Sequence, residues 1–92
     1  EMCIRDRYFE SRGRHIIINL VDNQSIQYVG QLKNEIKKLP LNFVEIGKSY
    51  IINLKHMREC HVSYVVMDDG KELGISRAYR NYFNEKILEY NS

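Results

Sequence analysis

RHIIINLVDNQSIQYV, Arg14 to Val29, decides what kind of fold this chain can adopt. Ile16, Ile18 and Leu20 recur at every second position, so they share one face of an extended segment running from Arg14 to Val21. Asp22-Asn23-Gln24 is turn chemistry, because Asn and Asp bond to their own backbone and tolerate left-handed dihedrals. Ser25 to Val29 then returns with Ile26 and Tyr28 alternating against polar neighbours. Two alternating runs around a polar turn predict a β-hairpin.

Working outward, the period changes. From Gly30 to Leu39, Leu32, Ile36 and Leu39 take helical spacing, with Lys33, Glu35, Lys37 and Lys38 on the remaining face. That predicts a short amphipathic helix, stopped by Pro40. Asn42 to Ile46 and Ser49 to Leu54 are two further strand candidates, separated by a kink at Gly47-Lys48. Lys55 to Glu59 reads as a polar connector. Cys60 to Met67 and Lys71 to Ser76 read as strands joined by Asp68-Asp69-Gly70, and Asp-Gly is a strong hairpin signal. From Ser76 to Tyr90, Tyr79, Phe83, Ile87 and Tyr90 restore helical spacing, with Ser76 as the expected N-cap. The expected architecture is mainly β, with a short central helix and a C-terminal helix, and no linker or internal repeat divides it.

Composition bounds the function. Ninety-two residues make one domain, and 43% hydrophobic with 28% charged is ordinary for a globular protein. The net charge is +2. The pI of about 8.6 is below the value of about 9 that marks a strong electrostatic footprint, so distribution of charge matters more than its sum. No apolar run approaches the roughly 20 residues of a membrane span, and the first residues lack the order of a signal peptide. Two cysteines, Cys3 and Cys60, form no CxxC, which leads us to expect a reducing, cytoplasmic setting and no membrane contact. GxGxxG, Walker A, HExxH and GxSxG motifs are all missing, so no enzyme and no cofactor are expected. His56, Cys60 and His61 could be imagined around zinc, but Cys3 and His15 do not complete a usual spacing, and no metal is expected. The tyrosines Tyr28, Tyr50, Tyr79 and Tyr90 sit at periodic positions and are expected in the core.

Three stretches in order, YFESRGRHIIINL (Tyr8–Leu20), FVEIGKSYIINL (Phe43–Leu54) and LGISRAYRNYF (Leu73–Phe83), resemble the LytTR family of bacterial DNA-binding domains. The resemblance runs from Tyr8 to the end of the chain. It implies an elongated arrangement of short antiparallel sheets that reads DNA through inter-strand loops set into successive major grooves. It also implies the role of such domains, the transcriptional output of response regulators, which pair on direct-repeat sites through an upstream module. The isolated domain is then expected to be monomeric or weakly associating.

The same resemblance carries the site residues. Arg14, Lys48 and Arg77 are the expected base readers, since Arg and Lys bond guanine O6 and N7. Arg12, Ser49, Ser76 and Arg80 are the expected phosphate-backbone contacts. Taken one at a time, each has a blander account: a solvated turn, an edge-strand charge, or a helix-start cation opposed by the dipole. Two departures qualify the match. Glu45 and Gly47 stand where many members carry a basic residue and a histidine. An acid there repels phosphate, so Glu45 is expected either to accept from cytosine N4 or to position Lys48. Residues 1–7, EMCIRDR, are charged and unpatterned and resemble adapter read-through, so we expect them to be a non-native or disordered leader to a domain spanning 8–92. The rival readings are a β-edge protein-interaction module and a single-stranded nucleic acid binder.

Overall fold

Five strands form the larger sheet because their apolar side chains face both ways. The computed structural model describes residues 6–22 and 24–91. Its strands run β1 (Asp6–Arg12), β2 (His15–Leu20), β3 (Ser25–Val29), β4 (Phe43–Glu45) and β5 (Tyr50–Asn53), all antiparallel in the spatial order β3-β2-β1-β5-β4. Successive residues of a strand point to opposite faces. Tyr8 of β1 and Ile52 of β5 therefore join one core, and their neighbours Phe9 and Ile51 join the other. A sheet covered on both faces reads as near-continuous apolar runs, which is what IIIN and YIIN are.

On one face, Phe9, Ile16, Ile18, Leu20, Phe43 and Ile51 are capped by Leu32 of α1 (Leu32–Glu35). On the other face lies a three-stranded sheet, β6 (Met57–Cys60), β7 (Tyr64–Met67) and β8 (Glu72–Gly74), in that order. It contributes Val65, Met67 and Leu73, followed by Ile75, and the helix α2 (Arg80–Asn91) contributes Phe83. The layers are thus helix, large sheet, and small sheet with helix. Principal extents of 30 × 25 × 22 Å make the expected elongation slight. The radius of gyration, 12.2 Å, agrees with the ~12 Å of a compact domain of this length.

The predicted hairpin is present: Ile16 faces Tyr28 and Ile18 faces Ile26 across β2 and β3. Asp68-Asp69-Gly70 likewise joins β7 to β8, with Gly70 at φ +88. Several boundaries moved. Asp6 and Arg7, which fall in the segment read as a leader, are buried residues of β1. Asp6 opposes Leu20 and Tyr8 opposes Asn19, so Arg7 is the extra residue of a bulge. Its side chain lies across the turn of the second sheet, with Nε 2.6 Å from Asp68 Oδ1. Residues 1–5, with Cys3, and Asn23 of the predicted turn lie outside the described residues.

The polar connector Lys55–Glu59 is instead a 3-10 turn, Leu54–His56, running into β6, whose MREC sequence is polar because most of it faces solvent. The run Cys60–Met67 is not one strand, since it turns after Cys60 and returns with His61 N donating to Tyr64 O at 2.8 Å. The central helix is short, passing into a 3-10 turn at Ile36–Lys38, and Leu39 is extended as the residue before proline must be. Ser76 precedes a 3-10 turn, Arg77–Tyr79, and its side chain makes no capping bond. Tyr28, Tyr50 and Tyr79 pack against the cores as expected, whereas Tyr90 is exposed. Among the described residues, no helix is long and apolar enough to cross a membrane.

Candidate nucleic-acid interface

Three connections, distant in sequence, meet at one end of the large sheet. The first is the β1–β2 turn. Arg12 pairs with His15, leaving Gly13 and Arg14 as a two-residue loop. Such turns require positive φ, and Gly13 supplies it at +59. Arg14 O accepts from Gly30 N at 3.0 Å, which fastens this turn to the end of β3. Arg12 Nε donates to Glu10 Oε2 at 3.0 Å while its side chain stays largely exposed.

The second connection, Ile46 to Ser49, is the hub. Ser49 O accepts from Ser11 N of β1 at 2.8 Å, and Ile46 O accepts from Ser76 N at 2.8 Å. Gly47 also lies close against Ser76, where an added Cβ would sit 3.4 Å from the serine Cβ. Anchored on both sides, the loop leaves Lys48 and Ser49 exposed.

The third connection follows β8. Ile75 is buried as a plug, and Ser76, Arg77 and Ala78 emerge exposed. Arg80 is half-buried, with Nε donating to Ile75 O at 3.4 Å. A groove of about 450 Å³ opens between the three connections, lined among others by Gly13, Lys48 and Tyr79. A second hollow of about 390 Å³ adjoins it at Gly13, Gly30 and Gln31, and includes Arg14.

All seven residues expected to touch DNA therefore lie on these three bordering connections or, like Arg12 at the end of β1 and Arg80 at the start of α2, at their ends. Arg14, Lys48 and Arg77 have no hydrogen bond or ion pair through their side chains among the described residues. Other cations are engaged, Arg7 with Asp68 and Asp69, Lys38 with Glu35, and Lys86 with Glu89, whereas Lys37, Lys55 and Lys71 likewise have no side-chain partner among the described residues.

Gln31, singled out by no sequence pattern, and Lys33, expected on the polar face of the central helix, also line the groove. Helical periodicity put Lys33 on the outside, but it carries no information about the β1–β2 turn that comes to face it. Glu45 lines the groove too, half-buried and without a hydrogen bond or ion pair among the described residues, and burial pushes its carboxyl pKa up. The thiol of Cys60 is likewise pushed up by burial, the opposite of what a nucleophile needs. Among the described residues, no group of three or more His, Cys, Asp or Glu could hold a metal ion.

The family model of the LytTr DNA-binding domain matches residues 7–88. Among solved structures, the chain is similar to one described as the LytTr DNA-binding domain of a methyl-accepting/DNA response regulator from Bacillus cereus. The TM-score is 0.83 at 21% identity, over 92% of this chain and 83% of that one. At that identity the likeness speaks for the fold. No curated protein sequence matches.

Proposed function

The chain belongs to the LytTr DNA-binding domain family, and from that premise we propose that it binds double-stranded DNA sequence-specifically as the output domain of a transcriptional regulator. The observation that carries the reading is the meeting of three basic connections at one end of the molecule, with Arg14, Lys48 and Arg77 left there without a side-chain partner among the described residues. Loops of this kind enter a major groove without a recognition helix. Arg14 and Arg77 present planar forks to guanine O6 and N7, and Lys48 a mobile point charge to the same edge. Arg12, Ser49, Ser76 and Arg80 hold phosphate oxygens, which fixes register without reading sequence. Pairing on direct repeats, through an upstream module that dimerises, follows as part of the same reading, as does a cytoplasmic place of action.

One feature favours a rival. Strand β3 is a sheet edge with Ile26 and Val29 exposed, and such an edge can pair with a partner strand. The two readings separate under selection from a random duplex library followed by salt titration of the winner. Duplex reading predicts an enriched short repeat whose affinity falls steeply with salt. A folded sample that enriches nothing, and binds no DNA at low salt, would leave the β-edge module as the better account.

A further inference from the structure

We propose that Glu45 is a specificity-determining residue of this interface: its carboxylate accepts a hydrogen bond from the exocyclic amine of a cytosine in the major groove, at or beside the base pair that Lys48 meets. The inference rests on the DNA-binding reading above and deepens it.

Glu45 ends β4, held in register opposite Ile51. Its side chain lines the groove together with Gly13, Lys33, Lys48 and Tyr79. Lys33 and Lys48 stand around the same groove, yet Glu45 pairs with neither, and no other described residue donates to it. That position is unfavourable twice over. A half-buried acceptor without a partner has given up hydration for nothing, which weakens the fold. A negative charge among the cations of a DNA-binding face also repels phosphate, which weakens binding to any duplex. A group that costs both folding and non-specific affinity is accounted for by a gain realised only in the specific complex.

Base-edge chemistry narrows that gain. An ionised carboxylate can only accept. Guanine offers N7 and O6, and thymine O4, all acceptors that would repel it. Adenine offers the N6 amine, but N7 stands beside it as an acceptor. Cytosine presents its N4 amine without an acceptor alongside, so it is the base that suits this carboxylate. Lys48, which lines the same groove, suits the guanine across the pair or next to it.

The test compares wild type, Glu45→Ala and Glu45→Gln in duplex selection, in affinity for random duplex, and in thermal melting. We expect Glu45→Ala to lose about tenfold of its preference for C·G at one position, while binding random duplex more tightly and melting no lower. Glu45→Gln should move that position toward adenine, since Gln can bond N6 and N7 together. Base preferences unchanged in both variants would overturn the inference. So would a drop in melting temperature with equal loss on all sequences, the signature of a structural role. If folded wild type itself selects no sequence, the DNA-binding reading fails and this inference with it, a result visible in the wild-type arm alone.

Discussion

Arg7 is the residue at which the two sheets are held together. From a bulge in β1 its guanidinium reaches Asp68 at 2.6 Å, Asp69 at 3.3 Å, and the carbonyls of Leu20 and Val21 at 3.2 and 3.1 Å. Removing a buried partner costs about 3–5 kcal/mol. Here the acids are partly exposed and screened, so we expect Arg7→Met to cost about 2 kcal/mol in urea unfolding. Its acid behaviour should change as well. Burial alone would raise Asp68, but hydrogen bonds from His56 and Arg7, and their charges, outweigh it and hold the carboxyl below its usual range. A depressed acid contributes stability that is present above the unfolded value, about 4, and is lost as pH falls through the folded one. Arg7→Met should flatten that acid limb, and a limb of undiminished slope would show that Asp68 is held by other means. The arginines of the third connection should divide differently. Arg77 is exposed and has no side-chain partner among the described residues, so Arg77→Ala should cost about 1–3 kcal/mol at the selected site and relax one base pair. Arg80 is held by Ile75 O, so Arg80→Ala should weaken all duplexes alike and lower the salt slope by about one unit. Equal losses on selected and random DNA for both variants would refute the two roles.

At the scale of elements, what was legible was periodic and what was missed was polar. Ile16, Ile18 and Leu20 announced β2, and Asp-Gly announced the β7–β8 turn, because in each case the local pattern and the tertiary outcome agree. Strands β1 and β6 were missed because DRYFESR and MREC show no apolar alternation. The first is stabilised by ion pairs and by a core on each face, and much of the second faces solvent, neither of which a period can report. The candidate site divides in the same way. Its residue types and order were legible through the family resemblance. The meeting of the three connections depends on hydrogen bonds between residues dozens of positions apart, such as Ser11 with Ser49 and Ile46 with Ser76. The Asp68–Gly70 turn tests how much one element supports another. Gly70 sits at φ +88, where an L side chain costs about 1–2 kcal/mol. Gly70→Ala should therefore destabilise the domain by about that amount, although nothing lies within 4 Å of the added Cβ. Because the same turn carries the acids that hold Arg7, the loss should be non-additive with Arg7→Met. Additive losses would mean that the turn closes the second sheet without fastening it to the first.

For the whole molecule, a net charge of +2 includes the cations Arg14, Lys48 and Arg77 on the three connections, with Glu45 lining the same groove as Lys33 and Lys48. Two dependences follow, and they can be separated. Two cationic backbone contacts, Arg12 and Arg80, at about 0.9 each, give a log–log salt slope of about −1.8 per domain on duplex DNA, to which the neutral hydroxyls of Ser49 and Ser76 add nothing. A slope near zero would leave Arg12 and Arg80 without a phosphate. The pH dependence turns on Glu45. Because burial raises its pKa, its carboxyl takes up a proton at a higher pH than a solvated glutamate does. As pH falls through that raised value, the negative charge leaves the interface, so affinity for random duplex should rise. The protonated carboxyl is also a poor acceptor for a cytosine amine, so preference at its base pair should fall over the same interval. In Glu45→Gln the part of the rise due to Glu45 should vanish, whatever general pH dependence both proteins share. Stability adds an independent check of sign. A raised acid favours the folded state below its unfolded pKa and loses that contribution as pH climbs through the folded one. Wild type should therefore gain on Glu45→Gln in melting temperature as pH falls toward the ordinary glutamate value. A difference in melting temperature that stays constant across that range would mean that the carboxyl titrates as if in water, and the pH dependence assigned to it would fall.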